Sequence, residues 1–198
     1  MDFQAERRTL RTGTGVTRIM AVLAAASLLG GCGYNQILEL DEQAQLARRE
    51  IEVQLQRRSE MVPSLVETVV GYVAVDGDMV GLIADARARL AGAVRSGELK
   101  EMAAANVELC DGLDGLLALA ARYSELQADA GFQLLRSQLQ ETEDQIVKSG
   151  RSYNEAVRRY NDYIQAFPQL VTAKVVGAEK LELFGSGGEA AAMPLADE

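Results

Sequence analysis

FQLLRSQLQETEDQIVKSGRSYNEAVRRYNDYIQAF, residues 132–167, decides the fold. Phe132, Leu139, Ile146, Tyr153, Tyr160 and Phe167 recur every seven residues without a slip. Between them runs a second row, Leu135, Thr142, Ser149, Ala156 and Tyr163, and the outer face is filled with Arg, Lys, Glu and Gln. An apolar heptad of this kind predicts one continuous, coiled-coil-like helix with a seam along one side. It would be about 54 Å long at 1.5 Å per residue, and so long a helix needs an equally long partner. The second row is small and polar in its middle, which predicts close approach of a neighbour there.

The partner lies upstream. From Asn35, which can cap a helix, the apolar positions Ile37, Leu40, Ala44, Ala47, Ile51 and Leu55 step by three and four. Past Pro63 the stripe resumes with Leu65, Val66, Val69, Val70 and Val73. Proline removes one helical hydrogen bond and crowds the preceding turn, so a kink or break is expected near Met61. Asp76-Gly77-Asp78 marks a turn, MVGLIADARARLAGAV a shorter helix closed by Ser96-Gly97, and Glu98 to about Tyr123 another. Gly112 and Gly115 inside that last helix each cost about 1 kcal/mol against alanine, which implies either close helix approach or a soft stretch. Pro168 ends the long helix. LVTAKVVGAEKLELF can fold back as a turn or two, and residues 185–198 form a Gly- and Ala-rich acidic tail expected to be disordered. With only three prolines, no tryptophan and a wealth of helix formers, the fold class is all-α: an elongated antiparallel bundle of long helices, the first kinked near Pro63, over residues 32–184.

The amino terminus reads differently. RRTLRTGTGVTR is basic, IMAVLAAASLL is apolar, and GGC follows. That is the layout of a secretory signal peptide over residues 1–31. The apolar stretch falls short of the ~20 residues that span a bilayer. Leu29-Gly30-Gly31-Cys32 resembles the bacterial lipobox, in which the thiol alone can form the diacylglyceryl thioether and small neighbours give the processing enzymes access. Cys32 is therefore the expected lipidation site, and the acyl chains would supply multi-chain anchoring. The alternative is an uncleaved signal anchor with Cys32 incidental. Gly33 at the second mature position leans toward the outer membrane, where one exists.

Charge excludes some functions. The net charge is −9; the first 31 residues carry Arg7, Arg8, Arg11 and Arg18 against Asp2 and Glu6, so a processed chain is more acidic still. Nucleic-acid readers need a basic face, and no nucleic acid is expected as partner. No histidine is present, which removes the commonest general base and zinc ligand. Glu50 with Glu52, and Glu141 with Glu143 and Asp144, fall among Arg and Gln on faces expected to be solvated. Asp76-Gly77-Asp78 is too short for a calcium loop. Ser149 and Lys148 are adjacent on a helix and point about 100° apart, so they cannot pair as nucleophile and base. GxSxG, HExxH, CxxC and phosphate-binding glycine loops are absent from the sequence. No catalytic residue, cofactor, metal or small-molecule substrate is expected. Cys110, in VELCDGL, reads as a buried, unreactive thiol.

Arg57 and Arg58 stand out. The stripe steps 51, 55, 58, 62, 65, which turns Arg58 inward just before Pro63. Arg57, Arg58 and Pro63 thus form a possible interaction or kink site. Either the kink exposes a guanidinium to a partner, or Arg58 snorkels or pairs with a carboxylate such as Glu60 or one from a facing helix.

Three stretches together resemble the LemA family: Tyr34-Asn35-x-x-Leu38; VQLQRRSEMVPSLVETVVGY, residues 53–72; and ETEDQIVKSGRSYNEAVRRYNDYIQAFP, residues 141–168. The resemblance covers nearly all of residues 34–184. It implies an all-helical elongated bundle held at a bacterial membrane by its amino-terminal segment, with no established enzymatic activity. The lipobox cysteine departs from the uninterrupted transmembrane segment of typical members, Ser124 stands where proline often follows the tyrosine, and Lys174-Val175-Val176-Gly177-Ala178 is a loose version of the usual close. The expectation is a non-enzymatic envelope lipoprotein, anchored through Cys32 on the extracytoplasmic face, that scaffolds an unknown protein partner or self-associates. The runner-up is a single-pass accessory subunit of a membrane protease or transporter.

Overall fold

In a computed structural model the backbone is described over residues 10–185 and the side chains over residues 33–185. Six helices follow one another: α1 (Leu10–Tyr72), α2 (Gly77–Ser96), α3 (Leu99–Ala120), α4 (Ser124–Ala128), α5 (Ala130–Gln165) and α6 (Gln169–Val176), and no strand occurs among the described residues. The fold is an all-α helical bundle. The chain forms two compact units. One takes the amino-terminal part of α1 to Glu42 with Arg159–Lys180, the other Gln43–Arg158 with the chain from Leu181 onward.

In the larger unit α1, α2, α3 and α5 run up, down, up and down. Along α1 and α5 the facing pairs are Tyr72 with Asp129 and Arg58 with Glu143, one number falling as the other rises. Arg48 donates to the Gly97 carbonyl and Arg87 to that of Ser59, setting α2 antiparallel to α1. Arg89 pairs with Glu108 at 2.8 Å. A Cβ on Gly112 would lie 3.0 Å from Ile83 Cγ1, so of the two readings of that glycine, close helix approach is the one found. Asp76 caps α2 by accepting from the Asp78 N–H at 3.1 Å, and Asp129 caps α5 by accepting from the Phe132 N–H at 2.7 Å. Gly97, at φ 77°, closes α2 in the left-handed region where a side chain is strained.

The heptad of α5 does what its period predicts from Phe132 through Tyr160, all five residues being buried. In the second row Thr142 and Ser149 are buried as well. Their hydroxyls bond back to the helix's own carbonyls, Thr142 to Leu139 at 2.7 Å and Ser149 to Gln145 at 2.8 Å, so they present only small surfaces to their neighbours. Leu181–Phe184 lies over the same helix. Asn154 grips Phe184 at both backbone atoms, accepting from its N–H at 2.8 Å and donating to its carbonyl at 3.2 Å. Tyr153 donates to the Glu182 carbonyl at 2.9 Å, and Gly150 leaves room for the Phe184 ring, which a Cβ would meet at 3.1 Å.

In the smaller unit α6 packs beside α1 through Gly33, where a Cβ would lie 3.5 Å from Thr172 Oγ1. Among the described residues, Ile37, Tyr160, Ile164 and Ala173 are its buried apolar ones. The Phe167–Pro168 bond is cis, and Gly177, at φ 70°, ends α6.

Three expectations are corrected. Of the kink or break expected near Met61, the break is not found, since α1 is one continuous helix through Pro63. It also passes through Asn35, which is no cap, because the helix already runs from Leu10. Phe167, the last heptad position, lies beyond the end of α5 and is 84% exposed, since the repeat outlasts the helix that gives it meaning. The expected signal peptide lies among residues with undescribed side chains, and most of the expected disordered tail lies outside the described residues. Among the described residues no helix is long and apolar enough to cross a membrane.

Candidate functional site around Arg58 and Pro63

The inward stripe of α1 runs Ile51, Leu55, Arg58, Val62 and Leu65, all buried. Helical spacing turns position 58 into the core whatever residue occupies it, and here it is a cation only 4% exposed. An unpaired charge there would cost several kcal/mol. Arg58 Nη1 donates to Asn106 Oδ1 of α3 at 3.2 Å and to Glu143 Oε2 of α5 at 2.5 Å. One nitrogen thus ties three helices together. Glu143, with its side chain 27% exposed, keeps one edge in water, whereas Arg58 Nε is buried without a hydrogen-bond partner.

The residues expected to act at this place separate. Arg58 takes the paired arrangement, with a carboxylate from a facing helix and not with Glu60, which instead accepts from Gln56 at 2.9 Å. Glu143, expected on a solvated face with Glu141 and Asp144, is corrected. Those two remain exposed, while the helical turn carries Glu143 toward α1. Arg57 is exposed, pointing away from the cluster. Cys32 belongs to α1 by its backbone, and its side chain lies outside those described.

Pro63 enters through a bond it cannot make. It has no N–H, so the Ser59 carbonyl one turn back loses its usual donor. Arg87 of α2 fills the gap, its Nε donating to the Ser59 carbonyl at 2.8 Å. Two consecutive residues of α1, Arg58 and Ser59, are thereby bonded to three other helices. This explains why the helix continues through a proline.

Cys110 sits one turn beyond Asn106 on α3. Burial pushes its thiol up to about 11, with Arg58 pulling it down and Glu143 pushing it further up. At neutral pH it is a protonated, unreactive thiol. The guanidinium is held by its carboxylate, and the nearest nucleophile keeps its proton. The cluster joins α1, α3 and α5.

Sequence reasoning reached Arg58 and Pro63 but not Asn106, Glu143 or Arg87. Asn106 carried a readable signal, since it is a polar residue within the buried stripe Met102, Ala105, Leu109, Leu113 and Leu116. Arg87 and Glu143 had none, being charged residues among others of their kind.

The LemA family's sequence pattern matches residues 47–195. Those residues include the Arg57-Arg58…Pro63 stretch and the whole of 141–168, while Tyr34-Asn35-x-x-Leu38 lies before them. The chain is also similar to magnetosome protein MamQ of Magnetospirillum gryphiswaldense, 21% identical over 92% of this chain and 77% of that one. Magnetosome proteins MamQ 1 and MamQ 2 of Paramagnetospirillum magneticum are each 22% identical over the same shares.

Proposed function

The chain belongs to the LemA family, and from that premise we propose that it is a non-enzymatic, membrane-anchored protein of a bacterial envelope, a lipoprotein held through Cys32 whose helical bundle serves protein–protein scaffolding. The observation that carries the reading is the treatment of the buried ionisable groups. Arg58 is neutralised by Glu143, and Cys110 is held protonated, whereas a catalyst keeps such groups poised. The relatives it resembles over 92% of its length are named for a structure, the magnetosome, and not for a reaction. Leu29-Gly30-Gly31-Cys32, after an apolar run and before the helical domain, supports the lipid anchor.

A second reading keeps residues 16–34 as an uncleaved membrane helix of an accessory subunit. It is favoured by one observation: α1 is a single helix from Leu10 through Gly33. Intact mass of the membrane-extracted protein, beside a Cys32→Ser variant, separates the two. A mature start at residue 32 with added acyl mass, lost in the variant, is expected. An uncleaved, unacylated chain in both overturns the lipoprotein reading. Co-purification from crosslinked membranes then tests scaffolding, and recovery of the chain alone as a monomer would sink it.

A further inference from the structure

We propose that the corner made by α6 and the adjoining ends of α1 and α5 is a membrane-contact surface, where Phe167, Val171 and Val175 enter the headgroup and upper acyl region of a phospholipid bilayer. This rests on the membrane-anchored reading above and adds a second point of attachment, made by the folded domain itself.

Phe167 and Val175 are the most exposed large apolar side chains among the described residues, at 84% and 82%, and Val171 between them is also exposed. Val171 and Val175 are four apart and so share one side of α6, and Phe167 lies in the turn that precedes it. All three line one open cleft of about 1260 Å³, with Val176 and Tyr34. Single exposed apolar residues are ordinary, but a cluster that includes a phenylalanine is not.

The position of the cleft along the chain identifies its occupant. Its wall begins at Gly33 and Tyr34, and the apolar run ends at Leu29, five positions before Tyr34. Along a helix that is under ~8 Å, comparable to the ~5–8 Å of headgroup region in each leaflet. If Cys32 carries the lipid, the cleft starts at the very next residue. Either anchor therefore holds this face at the bilayer surface.

Near the cleft a positive excess is confined to the α6 side, since α1 in the same unit carries Glu39, Asp41 and Glu42. Residues 169–180 carry Lys174 and Lys180 against Glu179, a small positive excess in a chain of net charge −9. Arg159 and Asp162 on the cleft wall add one charge of each sign. Lysines beside apolar side chains suit anionic headgroups, and Tyr34 and Tyr163 are amphipathic rings of the kind enriched at that depth.

The test uses the full chain in phosphatidylethanolamine–phosphatidylglycerol vesicles. The protein has no tryptophan, so Val175→Trp and Val171→Trp each introduce a single reporter, and Leu82→Trp, at an exposed position of α2, is the control. With bromine-labelled acyl chains, emission from the two α6 variants should shift to the blue and fall about twofold or more. The Leu82→Trp variant should remain open to aqueous iodide. Flotation with the vesicles reports anchoring separately. A chain that floats while its α6 reporters are quenched by iodide and not by bromolipid overturns the contact surface alone, whereas a chain that does not float overturns the anchored reading with it. Protection from both quenchers in a species of twice the mass would assign the face to a second copy, and equal bromolipid quenching of the Leu82→Trp variant would deny that the contact is local. Either result overturns the proposal.

Discussion

A single guanidinium decides much of the larger unit's internal balance. Arg58 is buried, and what makes it tolerable there is Glu143 at 2.5 Å together with Asn106 at 3.2 Å. Removing a partner from a buried pair leaves an uncompensated charge, which costs more than the pair itself contributes. Glu143→Ala should therefore lower stability by about 2–3 kcal/mol, toward the low side of the range because the carboxylate is partly in water. The double variant Arg58→Met/Glu143→Leu removes both charges and should recover most of that loss, while Arg57→Ala, on the exposed side, should stay within about 0.5 kcal/mol of the parent. Urea midpoints of the four proteins check the set. Equal losses for Arg57→Ala and Glu143→Ala would show that the buried pair has no special standing. The sequence disclosed Arg58 because its position in the stripe is a local, periodic property. Glu143 was hidden because Glu141, Glu143 and Asp144 look alike in one dimension, and only the turn of α5 against α1 distinguishes them.

At the scale of an element, α1 shows how a helix survives a proline. Propensity alone sets Pro about 3 kcal/mol below Ala in a helix interior, which is why a kink or break was expected near Met61. That reasoning treats the helix as isolated. Here the orphaned Ser59 carbonyl receives Arg87 Nε at 2.8 Å, and the stripe on both sides of Pro63 is buried, so packing and a borrowed donor offset the local penalty. Arg87 lies on another helix, and its role cannot be inferred from spacing. The two residues should be coupled. Arg87→Ala should cost about 1–2 kcal/mol by leaving the carbonyl unpaired. Pro63→Ala restores the helix's own N–H donor and should stabilise the protein, and in that background Arg87→Ala should cost almost nothing. A double-mutant cycle on denaturation free energies reads the coupling. Additive effects would mean that Arg87 contributes through its own surroundings and not through the proline's missing bond.

Across the whole molecule, the fold class was legible because period is a property that many residues share. Five heptad positions of α5 and the stripes of α1 each vote the same way, so one misplaced residue such as Phe167 does not change the outcome. The folding back of the chain was legible, but where LELF lands was not, because it has no period and its meaning depends on distant partners. After contributing Arg159–Lys180 to the smaller unit, the chain re-enters the larger one at Leu181. There Phe184 joins the hydrophobic core, and Asn154 holds its backbone at 2.8 and 3.2 Å. This closing segment has a definite energetic role, which two truncations can separate. Ending the chain after Lys180 removes Leu181, Leu183 and Phe184 from the core and leaves the Asn154 amide to water. Loss of one buried phenylalanine costs about 3–5 kcal/mol, and at roughly 2–4 °C per kcal/mol for a chain of this size the Tm should fall by about 6–20 °C. Ending it after Gly185 removes none of these contacts and should leave the Tm near that of the full chain. If instead both truncations melt like the full chain, Phe184 covers a core that is already complete. If the truncation after Lys180 alone lowers the Tm, the four residues after Lys180 close the larger bundle, and Asn154 and Gly150 are present in α5 to receive them.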